Sequence, residues 1–215
     1  MATNHYRLYG APTIFPGESI SSWLQRLSQQ QGISIEKLFF HAGAKAPKDY
    51  DFVGLAGGLA RIINMSGLPS QRFGIVYAVV RATQRTKPLQ LQVRKDKERR
   101  PVSGVCPKCL DGDHSPYYRI EWRFKFWKYC PTHNLPLMTA CGKCKRDVLL
   151  DREILLSINP PPSLAYCPNC LSKFAHSNDV TVDDTLRFAE KMSVQRNLMA
   201  GIIKGYCMIA PHQKK

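Results

Sequence analysis

Acidic residues are scarce in this chain of 215 residues: 16 Asp and Glu stand against 31 Lys and Arg, a formal charge of +15. The acids are also scattered, apart from Asp183 and Asp184, which argues against a nuclease whose metal ions need clustered carboxylates. Long apolar runs are missing: no span reaches the roughly 18 apolar residues of a membrane helix. The start MATNHYRLYGAPTIF lacks the basic-then-apolar order of a signal peptide. There is no Walker-type glycine loop, no nucleophile elbow and no His-Glu pair at metallohydrolase spacing. His41, His114 and His176 have no obvious companions. The expectation is a chain without an enzymatic centre and without a membrane segment.

What the sequence does have is cysteine in pairs. Seven of the eight cysteines fall between Cys106 and Cys170, as Cys106/Cys109, Cys130/His133, Cys141/Cys144 and Cys167/Cys170. Two residues separate the members of each pair, which lets a tight knuckle aim two side chains at one tetrahedral zinc ion. Disulfides would suit a secreted chain; without a signal peptide, the thiols are expected to be reduced and free for metal. In chain order the pairs make a site of three cysteines and one histidine (Cys106, Cys109, Cys130, His133) and a site of four cysteines (Cys141, Cys144, Cys167, Cys170), although an interleaved order fits the spacing as well. Both sets are saturated by protein, so the two Zn2+ are expected to be structural, with no position left for a reacting water. Cys207 has no partner and reads as buried or incidental.

Two filled sites would lower the charge only to about +12, which favours a polyanion such as DNA or RNA and predicts salt-dependent binding. The excess is local: residues 81–130 hold 13 basic and 5 acidic residues, against 7 and 4 in residues 1–80.

Apolar periodicity places the helices. Ile20, Trp23, Leu24 and Leu27 make one helical face, stopped by Gly32. Ser34 is an N-cap for a second helix burying Leu38 and Phe39. A third is expected from about Phe52, with Leu55, Leu59, Ile62 and Ile63 in phase, and its Gly57 and Gly58 suit close helix contact. After Gly67-Leu68-Pro69-Ser70 a fourth carries Phe73, Val76, Tyr77 and Val80. Short helices on tight turns resemble a helix-turn-helix bundle, whose groove-facing candidates are Lys37 in one pair and Ser70, Gln71 and Arg72 in the other.

From Arg81 to Arg100 the period disappears and the sequence reads as a basic linker, with Arg94, Lys95, Lys97, Arg99 and Arg100 as candidates to track a phosphate backbone. Tyr118 to Phe126 alternates apolar and charged residues, which predicts a half-buried strand: Tyr118, Ile120, Trp122, Phe124 and Phe126 inside, and Arg119, Glu121, Arg123 and Lys125 outside. Its cations Arg119, Arg123 and Lys125 are further candidates for a nucleic-acid or protein partner. Pro160-Pro161-Pro162 forces an extended loop. A last helix is expected from Asp183/Asp184, with Leu186, Ala189 and Met192 apolar and Ile202, Ile203, Tyr206 and Met208 either packing back or serving a partner. The fold class is therefore a small α+β chain: a helix-turn-helix-like helical domain (1–82), a basic linker (83–105), two zinc-finger or ribbon modules (106–140 and 141–178) and a C-terminal helical segment (179–215).

Two stretches together resemble a known family. Pro16-Gly17-Glu18-Ser19-Ile20-Ser21-Ser22-Trp23-Leu24-Gln25-Arg26-Leu27 looks like the N-terminal signature of the TniQ family, which includes TnsD. Cys106-Pro107-Lys108-Cys109-Leu110, Tyr118-Arg119, Trp122, Cys130-Pro131-Thr132-His133 and Cys141-Gly142-Lys143-Cys144 look like its zinc-finger core, and the likeness covers about residues 12–175. The resemblance implies a cytoplasmic, prokaryotic, non-catalytic target-selection adaptor of a cut-and-paste transposon. Such a protein engages an AAA+ ATPase regulator that recruits the transposase. Short members are often tied to a CRISPR effector complex, where pairing with guide RNA reads the sequence; long members read an attachment site and carry a C-terminal extension with no counterpart in these residues. The adaptor would hold DNA or RNA backbone, alone or as a homodimer. Two other classes stay open on the residues: a zinc-containing reader of its own DNA site, whether attachment-site reader or transcription regulator, and a metal-dependent nuclease.

Overall fold

A computed structural model describes residues 7–52, 57–150, 163–175 and 185–205. It is a small α+β fold: helices α1 (Ile20–Gln31), α2 (Ile35–His41), α3 (Gly58–Ser66), α4 (Gly74–Arg85), α5 (Lys87–Gln92), α6 (Pro107–Gly112) and α7 (Thr185–Lys204), with short strands β1 (Val102–Ser103), β2 (Tyr129–Cys130), β3 (Leu135–Pro136) and β4 (Val148–Leu149). Strands β1 and β4 pair antiparallel, as do β2 and β3. Among the described residues no helix is long and apolar enough to cross a membrane.

The helical half forms as its periodicity predicts. In α1, Ile20, Trp23, Leu24 and Leu27 are fully buried, Ser19 caps the first turn through Ser22 N, and Gly32 closes the last in the left-handed region at φ 64°. Ser34 caps α2 by accepting from Lys37 N, and Leu38 and Phe39 are buried. The third helix starts later than expected, at Gly58, because Gly57 takes φ 78° and breaks the run. A Cβ on Gly58 would lie 2.6 Å from the Ala44 side chain and 2.8 Å from Phe39, so this glycine does allow α3 to press on α2. Leu55 of that expected helix, Pro160–Pro162, His176, Asp183/Asp184, Tyr206, Cys207 and Met208 lie outside the described residues.

Three expectations need correction. The basic stretch 83–105 is not a featureless linker: α5 covers Lys87–Gln92, Leu89 and Val93 are buried, and Val93 bridges Phe124 while Lys95 bridges Pro101. The apolar side chains here are too widely spaced among the cations to show a period, but Leu89, Val93, Val102 and Val105, all buried, suffice to dock the segment. The expected strand 118–126 is a single 3-10 turn at Ile120–Arg123. Its backbone bonds are spread over several elements: Ile120 N donates to Gly17 O, Gly104 N to Trp122 O, Arg94 N to Arg123 O and Lys125 N to Gln92 O. With no single neighbouring strand, the 3-10 turn wins locally, and it rotates Arg123 inward while Tyr118, Ile120, Trp122 and Phe124 are buried as expected. In α7 the packed side is Met192, Gln195, Met199 and Ile202, with Ala189 exposed. This helix lies against α4, so Ile202 packs back onto the protein. The Gln195 side chain pins α7 to β2, accepting from Lys128 N and Tyr129 N and donating to Tyr129 O at 2.8 Å.

Candidate metal centres

The four half-sites share a backbone device in three cases. Asn134 N donates to Cys130 O, Lys145 N to Cys141 O and Leu171 N to Cys167 O, each at 2.9 Å, and the three donors sit at positive φ, from 53° to 59°. Each knuckle thus turns its chain at the residue after the second ligand. The fourth is built differently: Pro107 occupies the first turn of α6, where its missing N–H costs nothing, and Leu110 N donates to Cys106 O.

These turns bring the side chains together in chain order, Cys106 with Cys109, Cys130 and His133, and Cys141 with Cys144, Cys167 and Cys170, the ligand atoms of each set lying within 4.8 Å of one another. The interleaved order is not adopted. Tetrahedral zinc with Zn–S of about 2.3 Å and Zn–N of about 2.0–2.1 Å sets neighbouring sulfurs roughly 3.8 Å apart and sulfur–nitrogen pairs roughly 3.5 Å apart. In the second cluster Cys141–Cys170 and Cys144–Cys167 measure 3.7 and 3.8 Å. In the first, His133 Nδ1 lies 3.5, 3.3 and 3.5 Å from the sulfurs of Cys106, Cys109 and Cys130. Such distances are far beyond a disulfide, and the donor sets fit a metal of zinc's preferences. Mutual hydrogen bonding pushes Cys109 far above the usual thiol range and holds Cys130 far below it: three packed thiols cannot all ionise without a cation among them.

The residues between the ligands turn out to be fasteners. Arg123 is completely buried. It donates to Val102 O at 3.0 Å, grips both oxygens of Asp49 at 3.0 and 2.8 Å, and pairs with Asp51, which also accepts from Ser21 N and Oγ. Burial and the neighbouring Asp49 push Asp51 upward; at Asp49 burial is overcome by Arg123, which holds that carboxyl low. Arg119 clamps Asp113 with two bonds of 3.2 and 3.1 Å and lies over the rings of Tyr117 and Trp122. Both arginines are therefore committed to the fold, contrary to their expected place on an outer face; Lys125 alone of the three is exposed, its Nζ donating to Leu91 O.

The Pro16–Leu27 stretch explains itself in the same terms. Glu18 is fully buried and accepts from Phe15 N, Ser22 Oγ and Arg26. Ser22 in turn accepts from Tyr118 N at 3.0 Å, and Ser19 N donates to Tyr118 O at 2.8 Å. Trp23 Nε1 donates to Pro12 O. The two motif-bearing stretches are one hydrogen-bonded joint between α1 and the first cysteine cluster. Asp49 and Asp51 belong to that joint and carried no sequence signal, since Arg123 lies more than seventy residues away; Ser21, within the motif stretch, ties Asp51 to α1.

Of the other expected contact residues, Lys37, Gln71, Arg72, Lys95, Lys97 and Arg99 are exposed. Arg94 is partly buried, donating to Trp127 O at 3.1 Å, and Arg100 is paired with Asp96 and Glu98. Compared with protein-family models, residues 10–137 match the one described as TniQ. No curated protein matches the chain significantly.

Proposed function

This chain belongs to the TniQ family, and from that premise we propose that it is a non-catalytic target-selection adaptor of a bacterial transposon. It links a target-recognition complex, a CRISPR effector with its guide RNA, to the AAA+ ATPase regulator that recruits the transposase. The family match over residues 10–137 carries the reading, because it ties the chain to transposition. Two structural zinc ions complete the fold, held by Cys106, Cys109, Cys130 and His133 and by Cys141, Cys144, Cys167 and Cys170. The support is the ligand geometry and the saturation of each set by protein atoms, which leaves the metals to shape a surface rather than to activate water. The exposed cations Lys37, Arg72, Lys95, Lys97, Arg99 and Lys125 are available for nucleic-acid backbone.

Capture experiments test this directly. The purified, zinc-loaded chain should retain an ATP-loaded AAA+ transposition regulator and a guide-RNA effector complex. Retention of neither, with tight binding to one duplex sequence over random DNA by orders of magnitude, would instead identify an autonomous site reader. Magnesium-dependent cleavage would identify a nuclease.

A further inference from the structure

Four non-glycine residues among those described have positive φ: Arg99, Asn134, Lys145 and Leu171. The last three each follow the second ligand of a metal knuckle and are held there by the knuckle's own backbone bond. Arg99 has no such excuse. It closes a hairpin in which Lys95 bridges Pro101, Asp96 N donates to Arg100 O at 3.1 Å and Arg99 N donates to Asp96 O at 3.1 Å. A three-residue hairpin loop of this kind ends on a left-handed residue, and the place is ordinarily glycine's. Arginine there, at φ 63°, is strained without a visible return within the fold.

The rest of the loop is rigid. Asp96 accepts from Glu98 N, Arg100 N and Arg100 Nε at 3.0, 2.8 and 2.8 Å, and Glu98 lies 3.2 Å from the same Arg100. Both acids of the loop are thereby turned to Arg100. The exposed Lys97 and Arg99 side chains meet no acid or acceptor among the described residues, whereas Lys95 stands near Asp49 and favours its ionised form. Strain held by a rigid surround is characteristic of functional positions. No aromatic residue occurs between Arg94 and Pro101, so the tip has nothing to stack on unpaired bases; what it offers is positive charge on a set backbone.

We propose that hairpin 95–101 is a preformed grip for the phosphate backbone of duplex DNA, with Arg99 and Lys97 making the contacts. This rests on the reading of the chain as a transposition protein that works at DNA. Because the loop backbone is closed by its own hydrogen bonds, little backbone ordering is lost on contact, and each phosphate contact should appear in the salt dependence.

The test pairs binding with stability in the zinc-loaded full chain. Arg99→Gly should raise the Tm by about 2–4 °C by relieving the left-handed arginine. The same change should lower affinity for random-sequence duplex several-fold at 100 mM salt and make the slope of log K against log salt shallower by about 1. Lys97→Gln with Arg99→Gly should make it shallower by about 2, while Arg99→Lys should restore most of the affinity. An Arg99→Gly chain with unchanged slope, or with a lowered Tm, overturns the proposal. So does a slope change seen with single-stranded RNA and not with duplex DNA. A wild-type chain that captures the ATPase but does not bind duplex defeats the grip and leaves the adaptor reading standing; failure of capture with the predicted Arg99 effects does the reverse.

Discussion

The two cysteine clusters share the positive-φ knuckle, once in the first and twice in the second, but not their surroundings. Three of the four ligands of the first are buried, and the loop between its halves supplies Tyr118, Ile120, Trp122, Arg123, Phe124 and Trp127 to the core. That loop is bonded to α1, to the Asp49–Asp51 segment, to α5 and through Gln195 to α7. The second cluster has two half-exposed ligands, Cys144 and Cys170. It joins the rest chiefly through β4 on β1, through Leu150, whose N donates to Pro101 O and whose carbonyl accepts from Gln25, and through an exposed Lys173–Asp111 pair. Similar ligand pairs thus sit deep among aromatic side chains in one place and partly open to solvent in the other.

Ligand substitution should break that comparison most visibly. Structural zinc contributes apparent binding free energies of about 10–16 kcal/mol in small peptides, as large as the whole stability of a domain. Cys106→Ser should therefore abolish cooperative unfolding and the near-UV signal of the buried tryptophans. Cys144→Ser should release one zinc of two and leave α1, the joint and the first cluster folded. Metal analysis with near-UV circular dichroism distinguishes these outcomes, and equal damage from both substitutions would show that the two regions fold as one unit.

A smaller effect separates the two arginines of the first region. Arg123→Met would strand two carboxylates, one fully buried, and should cost about 3–5 kcal/mol, the range for breaking a buried pair from one side. Adding Asp51→Asn should recover part of it. Arg119 is half-buried and its partner Asp113 is comparably exposed, so Arg119→Met should cost no more than about 1–2 kcal/mol, mostly through lost ring contacts and hydrogen bonds. Urea denaturation of the zinc-loaded variants measures both, and a reversed order would sink the assignment of Arg123 as the central fastener.

The contrast between these arginines also marks where the sequence is informative. Helix faces, caps and knuckles are set by residues within four positions of one another, so α1, α2, α4 and the ligand pairs were legible in periodicity and spacing. The inward set from Tyr118 to Phe124 was legible too, because burial follows hydrophobicity in a strand or a 3-10 turn alike. The direction of Arg123 was not: it is fixed by Asp49 and Asp51, and nothing local distinguishes an arginine facing water from one facing two distant acids. For the same reason a charged stretch such as 94–100 reads as a linker until Val93, Leu89 and the Asp96 side chain are seen to hold it.

The smallest effect concerns an acid that only the first region contains. Glu121 lies beside Gly17, with Oε2 3.8 Å from where a Cβ would stand. Burial above all, with the nearby Cys130 as a minor cause of the same sign, raises its carboxyl to about 7 from an ordinary 4.5. Three thiolates around a divalent ion keep a net negative charge, so metal loading preserves that sign. A raised acid binds its proton more tightly in the folded chain, so its stabilising contribution is complete below about pH 4.5 and is lost as pH rises through 7. Glu121→Gln removes the titration and keeps the shape. The variant should match wild type only at or below about pH 4.5, exceed it by a smaller margin near pH 5.5, and exceed it by about 1–2 kcal/mol at pH 8, a figure reduced for the partial exposure of this side chain. Parallel stability curves across that window would mean that Glu121 is solvated, and that the first cluster's surroundings are less dry than the packing of Trp122 and Ile120 implies.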